Sequence, residues 1–327
     1  MDPLRGCQMA SATCLAAARN AVLAERGWDV ERNGLTGAPA IRVVVGAKRH
    51  ATIDRALRLL GLGTGSLFVV AADSQGRMVP EALAAALPEL SGQPLIVCAQ
   101  AGEVNSGAFD DFPAIASLAK QAGAWLHVDG AFGLWAAAVP ELRHLVAGAA
   151  LADSWSTDAH KTLNVPYDSG LAFVRNRAAH RAAMTTRAEY LIQEELGGVR
   201  DQMDWNPEFS RRARGFAVYA ALRELGRDGA RSLVGRLCRH ARRAAEELAW
   251  LSGCEILNEV VFNQVLLCFE DDAATHAALA RVQASGEAWL SGTQWGGRAA
   301  IRVSVSNWRT SDGDIDRLVA AFAAARR

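Results

Sequence analysis

The chain has 327 residues, half of them hydrophobic, and its 35 basic side chains are balanced by 35 acidic ones. It carries no basic block or acidic tail, which argues against a nucleic-acid partner, and no apolar run near the ~18 residues of a membrane span. Only three basic residues are lysines, Lys48, Lys120 and Lys161. A lysine amine can be deprotonated and form a Schiff base while Arg stays charged, so each is a candidate for chemistry, although a coding bias toward Arg accounts for the excess equally well.

Residues 7–27 read as an amphipathic helix with Leu15, Ala18 and Val22 on one face and Gly27 closing it. Its Ala-rich stretch is diluted by Gln8, Ser11 and Thr13, unlike the core of a secretory signal. Strands are predicted at 41–45, 67–71, 95–99, 124–128, 153–157 and 171–174, with helices at 51–60, 80–86 and 113–121 between the first four. Short apolar runs alternating with helices indicate an α/β domain whose largely parallel sheet is buried on both faces. An Arg-rich helix at 209–225 leads to Gly226-Arg227-Asp228-Gly229, read as a domain boundary. Beyond it come a helix at 230–251, a strand at 260–269, a helix at 273–283, a strand at 301–305 and a last helix after Ser311. The expected division is therefore a large domain over 1–228 and a smaller α+β domain over 229–327.

Gly61, Gly63 and Gly65 superficially resemble a nucleotide fingerprint, but they follow a helix where the dinucleotide motif follows a strand. They read as a helix stop and a turn. The six cysteines are scattered with no C-x-x-C, which suggests reduced thiols and a cytoplasmic location. The histidines form no H-E-x-x-H, so no metal site is expected.

The most informative segment is His127-Val128-Asp129-Gly130-Ala131-Phe132-Gly133, a strand ending in Asp followed by small residues. Ligands of open α/β sheets sit at the carboxyl ends of strands, and small residues there let a flat ligand approach the backbone. Taken alone, such an Asp is more often a turn or cap. A second strand ends 32 residues later in His160-Lys161. A carboxylate and a lysine at neighbouring strand ends suit pyridoxal phosphate, whose ring nitrogen needs an anion and whose aldehyde needs an amine.

The H-V-D-x-A pattern at 127–131 and the D-S-W-x-x-x-A-H-K block at 153–161, at this separation, resemble the pyridoxal-phosphate-dependent group II amino-acid decarboxylases, the aromatic-amino-acid and glutamate decarboxylase group of fold type I. The likeness runs from about residue 6 to the C-terminus. It implies a homodimer in which Lys161 forms the Schiff base, Asp129 pairs with the pyridine nitrogen, and His160 adjoins the cofactor. Ala131 would pack on one ring face and His50 on the other, although an isolated His50 reads as an ordinary loop histidine. Gly6, Cys7 and Gln8 match the small-residue phosphate cup; free amides at a helix start suit a phosphate, yet any helix start looks similar. Arg302 corresponds to the arginine that takes the substrate carboxylate, with a plain surface Arg as the even alternative. Residues 185–208 take the place of a mobile active-site loop, with Tyr190 as a proton donor or a surface aromatic.

Three departures from the family pattern stand out. Asp158 replaces an Asn three residues before the lysine, near the phosphate, where a negative charge would repel an anion if it pointed the same way. Gly102-Glu103-Val104-Asn105-Ser106 replaces a Gly-Thr-Thr turn. Relatives carry a substantial segment before the cup, and this chain begins almost at it. The expected activity is decarboxylation of an L-amino acid to its amine. Another fold-type I reaction, transamination or aldehyde formation, or a truncated non-catalytic homologue, stays open.

Overall fold

The computed structural model describes residues 2–186 and 201–325. In chain order the first part contains β1 (Asp2–Leu4), α1 (Gly6–Ala24), α2 (Val30–Asn33), β2 (Arg42–Gly46), α3 (Ala51–Leu59), β3 (Leu67–Val70), α4 (Pro80–Ala86), β4 (Leu95–Gln100), α5 (Phe112–Gln121), β5 (Trp125–Asp129), β6 (Ser154–Asp158), β7 (Gly170–Val174) and α6 (Arg177–Met184). Its seven strands form one sheet in the order β1-β7-β6-β5-β4-β2-β3. The pairs from β3 to β6 are parallel, while β7 and β1 add an antiparallel edge.

The apolar strand runs are continuous because both sheet faces are covered. Val44, Val97, Ala99, Leu126 and Val128 enter a core shared with α4 and α5, and the alternate residues Val43, Val45, Ile96, Cys98 and Trp125 enter a second core with α1 and α3. The expected elements of this half are present within a few residues, and Gly61 and Gly63 form the predicted stop and turn with φ of 74° and 65°. The sequence reading missed β1, α2 and α6. It also misjudged α1, which is buried on nearly every side from Gly6 to Ala18 and packs on α3, α6, β6 and β7. Its many alanines are the small side chains that let a helix lie this close to its neighbours.

After residue 201 come α7 (Gly215–Leu248), β8 (Glu255–Ile256), β9 (Gln264–Cys268), α8 (Asp272–Ser285), β10 (Ser291–Trp295), β11 (Arg298–Ser304) and α9 (Asp312–Ala325). These strands make an antiparallel sheet ordered β10-β11-β9-β8. Val265, Leu267, Ile301 and Val303 face α7, α8 and α9. The break expected at residues 226–229 is present within α7, where Gly226, with φ of 59° and ψ of −171°, separates two helical stretches. The strand expected from residue 260 begins only at Gln264, because Phe262 turns into the core of the larger sheet. There its ring meets Phe109 edge-on at 5.7 Å and Phe132 at 6.1 Å. Polar, partly exposed β10 carries no apolar alternation and was not foreseen. No helix among the described residues is long and apolar enough to cross a membrane.

Candidate active site

Two adjacent parallel strands deliver the central groups. β5 ends at Asp129 and β6 at Asp158, with Asp129 in register with Ser156, so both carboxylates lie at the carboxyl edge of the sheet. The chain then turns through Ala159 and His160 to Lys161. Lys161 Nζ lies 3.1 Å from Asp158 Oδ2 and 6.0 Å from the centre of the Phe132 ring. Burial works against charge on this amine, but the Asp158 carboxylate, helped by Asp129, outweighs it and holds the Lys161 pKa above its usual value.

α1 begins over this edge. No side chain caps its first turn locally, so its leading amides are free for an anion. One is taken: Cys7 N–H donates to Asp158 Oδ1 at 2.5 Å. The Cys7 thiol donates to Asp129 Oδ1 at 3.5 Å, and burial beside the two carboxylates pushes its pKa well up, so it stays a neutral thiol. Gly6 has φ of +70°, and a Cβ there would come 3.3 Å from the His160 ring. Gln8 turns outward and accepts from Arg55 at 3.4 Å. Thus Gly6 and Cys7 join the cluster, whereas the Gln8 side chain does not.

His160 is largely buried. Its Nδ1 accepts the Ser169 N–H at 3.0 Å, its Nε2 lies 3.5 Å from Asp158, and Tyr167 covers its ring at 3.9 Å between centroids. Burial lowers its pKa despite the nearby carboxylate. His127 lies under the site, fully buried, with Nδ1 2.9 Å from Ser154 Oγ; burial brings its pKa down to about 4 and keeps the imidazole neutral. His50 sits at the N-terminus of α3, where Nδ1 accepts the Thr52 N–H at 3.3 Å and lies 2.8 Å from Thr52 Oγ1. That contact holds the ring by one edge. Ala131 follows β5 and is half-buried, its carbonyl accepting the Asp158 N–H at 2.8 Å.

Arg302 lies on the face of β11 that looks toward the larger sheet. Its Nη1 donates to Val104 O at 3.2 Å, and its buried Nε has no partner among the described residues. Burial lowers its pKa against the pull of Glu103. The loop it touches includes Gly102, where a Cβ would press on the same Phe132 ring that faces Lys161, at 2.8 Å. Tyr190 and residues 187–200 lie outside the described residues.

Several participants escaped the sequence reading. Tyr167 and Ser169 follow the lysine turn without any periodic signal. Asn164 had a weak one, since Asn tolerates the left-handed backbone and its φ is 57°. Ser169 Oγ is buried with no partner among the described residues. This orphaned hydroxyl, the first turn of α1 with no cap from its own N-cap residue, and an amine beside the Asp158 carboxylate make a donor set that fits a phosphorylated aldehyde with a basic ring. Asp158, seated on the Cys7 amide, is the member that most directly opposes a phosphate there.

Comparison with known proteins gives the same assignment. Residues 7–271 match the family model described as the pyridoxal-dependent decarboxylase conserved domain. The chain is similar to tryptophan decarboxylase 2 of Oryza sativa subsp. japonica, 27% identical over 311 residues that cover 90% of this chain and 63% of that protein. It is also similar to L-2,4-diaminobutyrate decarboxylase of Rhizobium meliloti (strain 1021), 29% identical over 297 residues covering 87% and 60%. It thus spans less than two thirds of the length of these relatives. Among solved structures, Oryza sativa TDC with PLP and tryptamine superposes with a TM-score of 0.91 at 24% identity, covering 99% of this chain and 69% of that one. This is the fold-type I architecture, and the chain belongs to the pyridoxal-dependent decarboxylase family.

Proposed function

We propose that this chain binds pyridoxal 5'-phosphate at Lys161 and removes the α-carboxylate of an L-amino acid as carbon dioxide, leaving the amine. The observation that carries the reading is the meeting of Lys161, Asp129 and the first turn of α1 at the carboxyl edge of one sheet. Bound there, the cofactor supplies an electron sink that lets the bond from Cα to the carboxylate break.

The protein's own groups orient and exclude. Lys161 provides the amine. Asp129 keeps a proton on the ring nitrogen, while His50 and Ala131 flank the ring faces. Gly6, Cys7 and Gln8 offer their backbone amides to the phosphate, and His160 adjoins it. Arg302, with an unpartnered Nε, takes the substrate carboxylate.

The first part, 1–228, serves as the cofactor-binding domain and 229–327 as the smaller one, in keeping with the second sheet and the kink at Gly226. Six scattered cysteines with no C-x-x-C suit a reducing, cytoplasmic setting. The exposed side chains of Phe216, Tyr219 and Leu222 on α7 supply apolar surface that a second copy in a homodimer would cover.

The test is to add pyridoxal 5'-phosphate to the purified protein, reduce with borohydride, map the labelled lysine and assay amino acids for carbon dioxide and keto-acid release. Label at Lys161 with carbon dioxide supports the proposal. Label at Lys48 or Lys120, or keto-acid product alone, overturns it.

A further inference from the structure

Asp158 has no part in the reaction outlined above, yet it is the most heavily engaged side chain of the site. It is 2% exposed. Its Oδ1 accepts the Cys7 N–H at 2.5 Å, and its Oδ2 lies 3.1 Å from Lys161 Nζ and 3.5 Å from His160 Nε2. A Cβ at Gly6 would come 3.7 Å from the same Oδ1. The carboxylate therefore occupies the mouth of the first turn of α1, where a helix offers its unpaired amides to an anion.

We propose that Asp158 is a resident competitor for the cofactor's phosphate. A phosphorylated ligand seats on the first turn of α1 only when Asp158 yields the Cys7 amide or carries a proton, so this residue sets how well the site accepts a phosphate. The proposal rests on the reading of Lys161 and α1 as the cofactor seat.

The groups that meet Asp158 are Lys161 and His160 from its own turn and Cys7 from α1, and Asp129 from the neighbouring β5 acts on the same Cys7 and Lys161. β7 places Gly170 opposite Asp158, and Asp168, just before that strand, is held by Arg214 at 2.8 Å. Among the described residues, Lys161 is thus the one full positive charge that meets Asp158. A dianionic phosphate arriving beside an ionised Asp158 and Asp129 would put two further negative charges against one lysine. Burial already pushes the Asp158 carboxyl above the ordinary range, against the pull of Lys161 and His160, so taking up a proton there costs less than at the surface. Phosphate binding should then be coupled to proton uptake and weaken as pH rises.

The experiment compares binding of pyridoxal 5'-phosphate with that of pyridoxal, which has the same aldehyde and ring without the phosphate. Lysine-bound absorbance is read at pH 6.5 and 8.5, in the wild type, Asp158→Asn and Asp158→Ser. Removing the carboxylate also changes the basicity of Lys161, which affects both ligands, so the readout is the ratio of their affinities. The expected result is a ratio shifted at least tenfold toward the phosphorylated ligand in either soluble variant, with a larger shift at pH 8.5. An unchanged ratio, with borohydride label still on Lys161, overturns the proposal. Absence of label on Lys161 in all three proteins instead overturns the cofactor reading beneath it.

Discussion

Asn164 Oδ1 accepts the backbone N–H of Trp308 at 3.1 Å. Its amide nitrogen meanwhile contacts Lys161 O and Thr162 O at 3.1 Å each and Ser306 O at 2.8 Å. One side chain thus ties the turn that carries the lysine to the strand exit of the smaller sheet, and it does so from a left-handed backbone with φ of 57°. Only Gly, Asn and Asp adopt that conformation routinely.

Replacing Asn164 therefore separates two effects. Asn164→Gly loses the ties but keeps the backbone, and should cost about 1–3 kcal/mol from the stranded polar partners. Asn164→Ala loses the ties and strains the backbone, adding ~1 kcal/mol. Urea denaturation of both variants checks this. Equal stability of the two would refute the backbone argument.

Asp129→Ala should leave Lys161 able to take label while turnover collapses. A fall of two pK units in ring-nitrogen basicity is worth ~2.7 kcal/mol, or roughly 100-fold in rate. Single-turnover release of carbon dioxide measures it, and near-wild-type turnover would remove Asp129 from the proposed role.

The pH dependence of stability follows from His127. Its pKa is about 4 in the folded chain against 6.5 for the free side chain, so between those values the unfolded state binds a proton that the folded state refuses. Its contribution is complete above pH 6.5 and declines as pH falls toward 4, by at most roughly 3 kcal/mol. Asp110 acts oppositely: burial raises its pKa to about 6, against the hydrogen bonds from Gln100 and Met78, so its contribution is complete below pH 3.8 and is lost as pH rises through 6. The difference between wild type and His127→Gln isolates the imidazole. Denaturation midpoints across pH 4.5–7.5 should show a shallower acid decline in the variant.

Gly170 sits where β7 crosses the start of α1, and a Cβ there would collide with the backbone of Gly6. Gly170→Ala should displace the first turn of α1, with the amides it offers a phosphate, from the carboxyl edge of the sheet, lowering stability by about 1–3 kcal/mol and weakening cofactor retention together. Thermal melts and lysine-bound absorbance test the pair of effects. Loss of stability with unchanged cofactor affinity would separate Gly6 from the binding site.

The sequence alone determined the alternation of strands and helices, because apolar runs bounded by Gly and Pro leave few alternatives. It also nominated Asp129, which ends a strand, and Lys161, which follows the next strand by three residues, as candidates for the chemistry. What it could not fix was the direction of side chains brought together from far along the chain. Asp158 was legible as a departure, but only folding placed it on the Cys7 amide, 151 residues away. His50 read as a ring-stacking residue or a loop histidine, and its one described contact is local, as the cap of α3 through Thr52. By contrast, α1 looked amphipathic in isolation and proved buried, since its environment is set by α3, α6 and two strands that no local period encodes. Periodicity reports what a segment can bury. The packing of distant segments decides which charges meet.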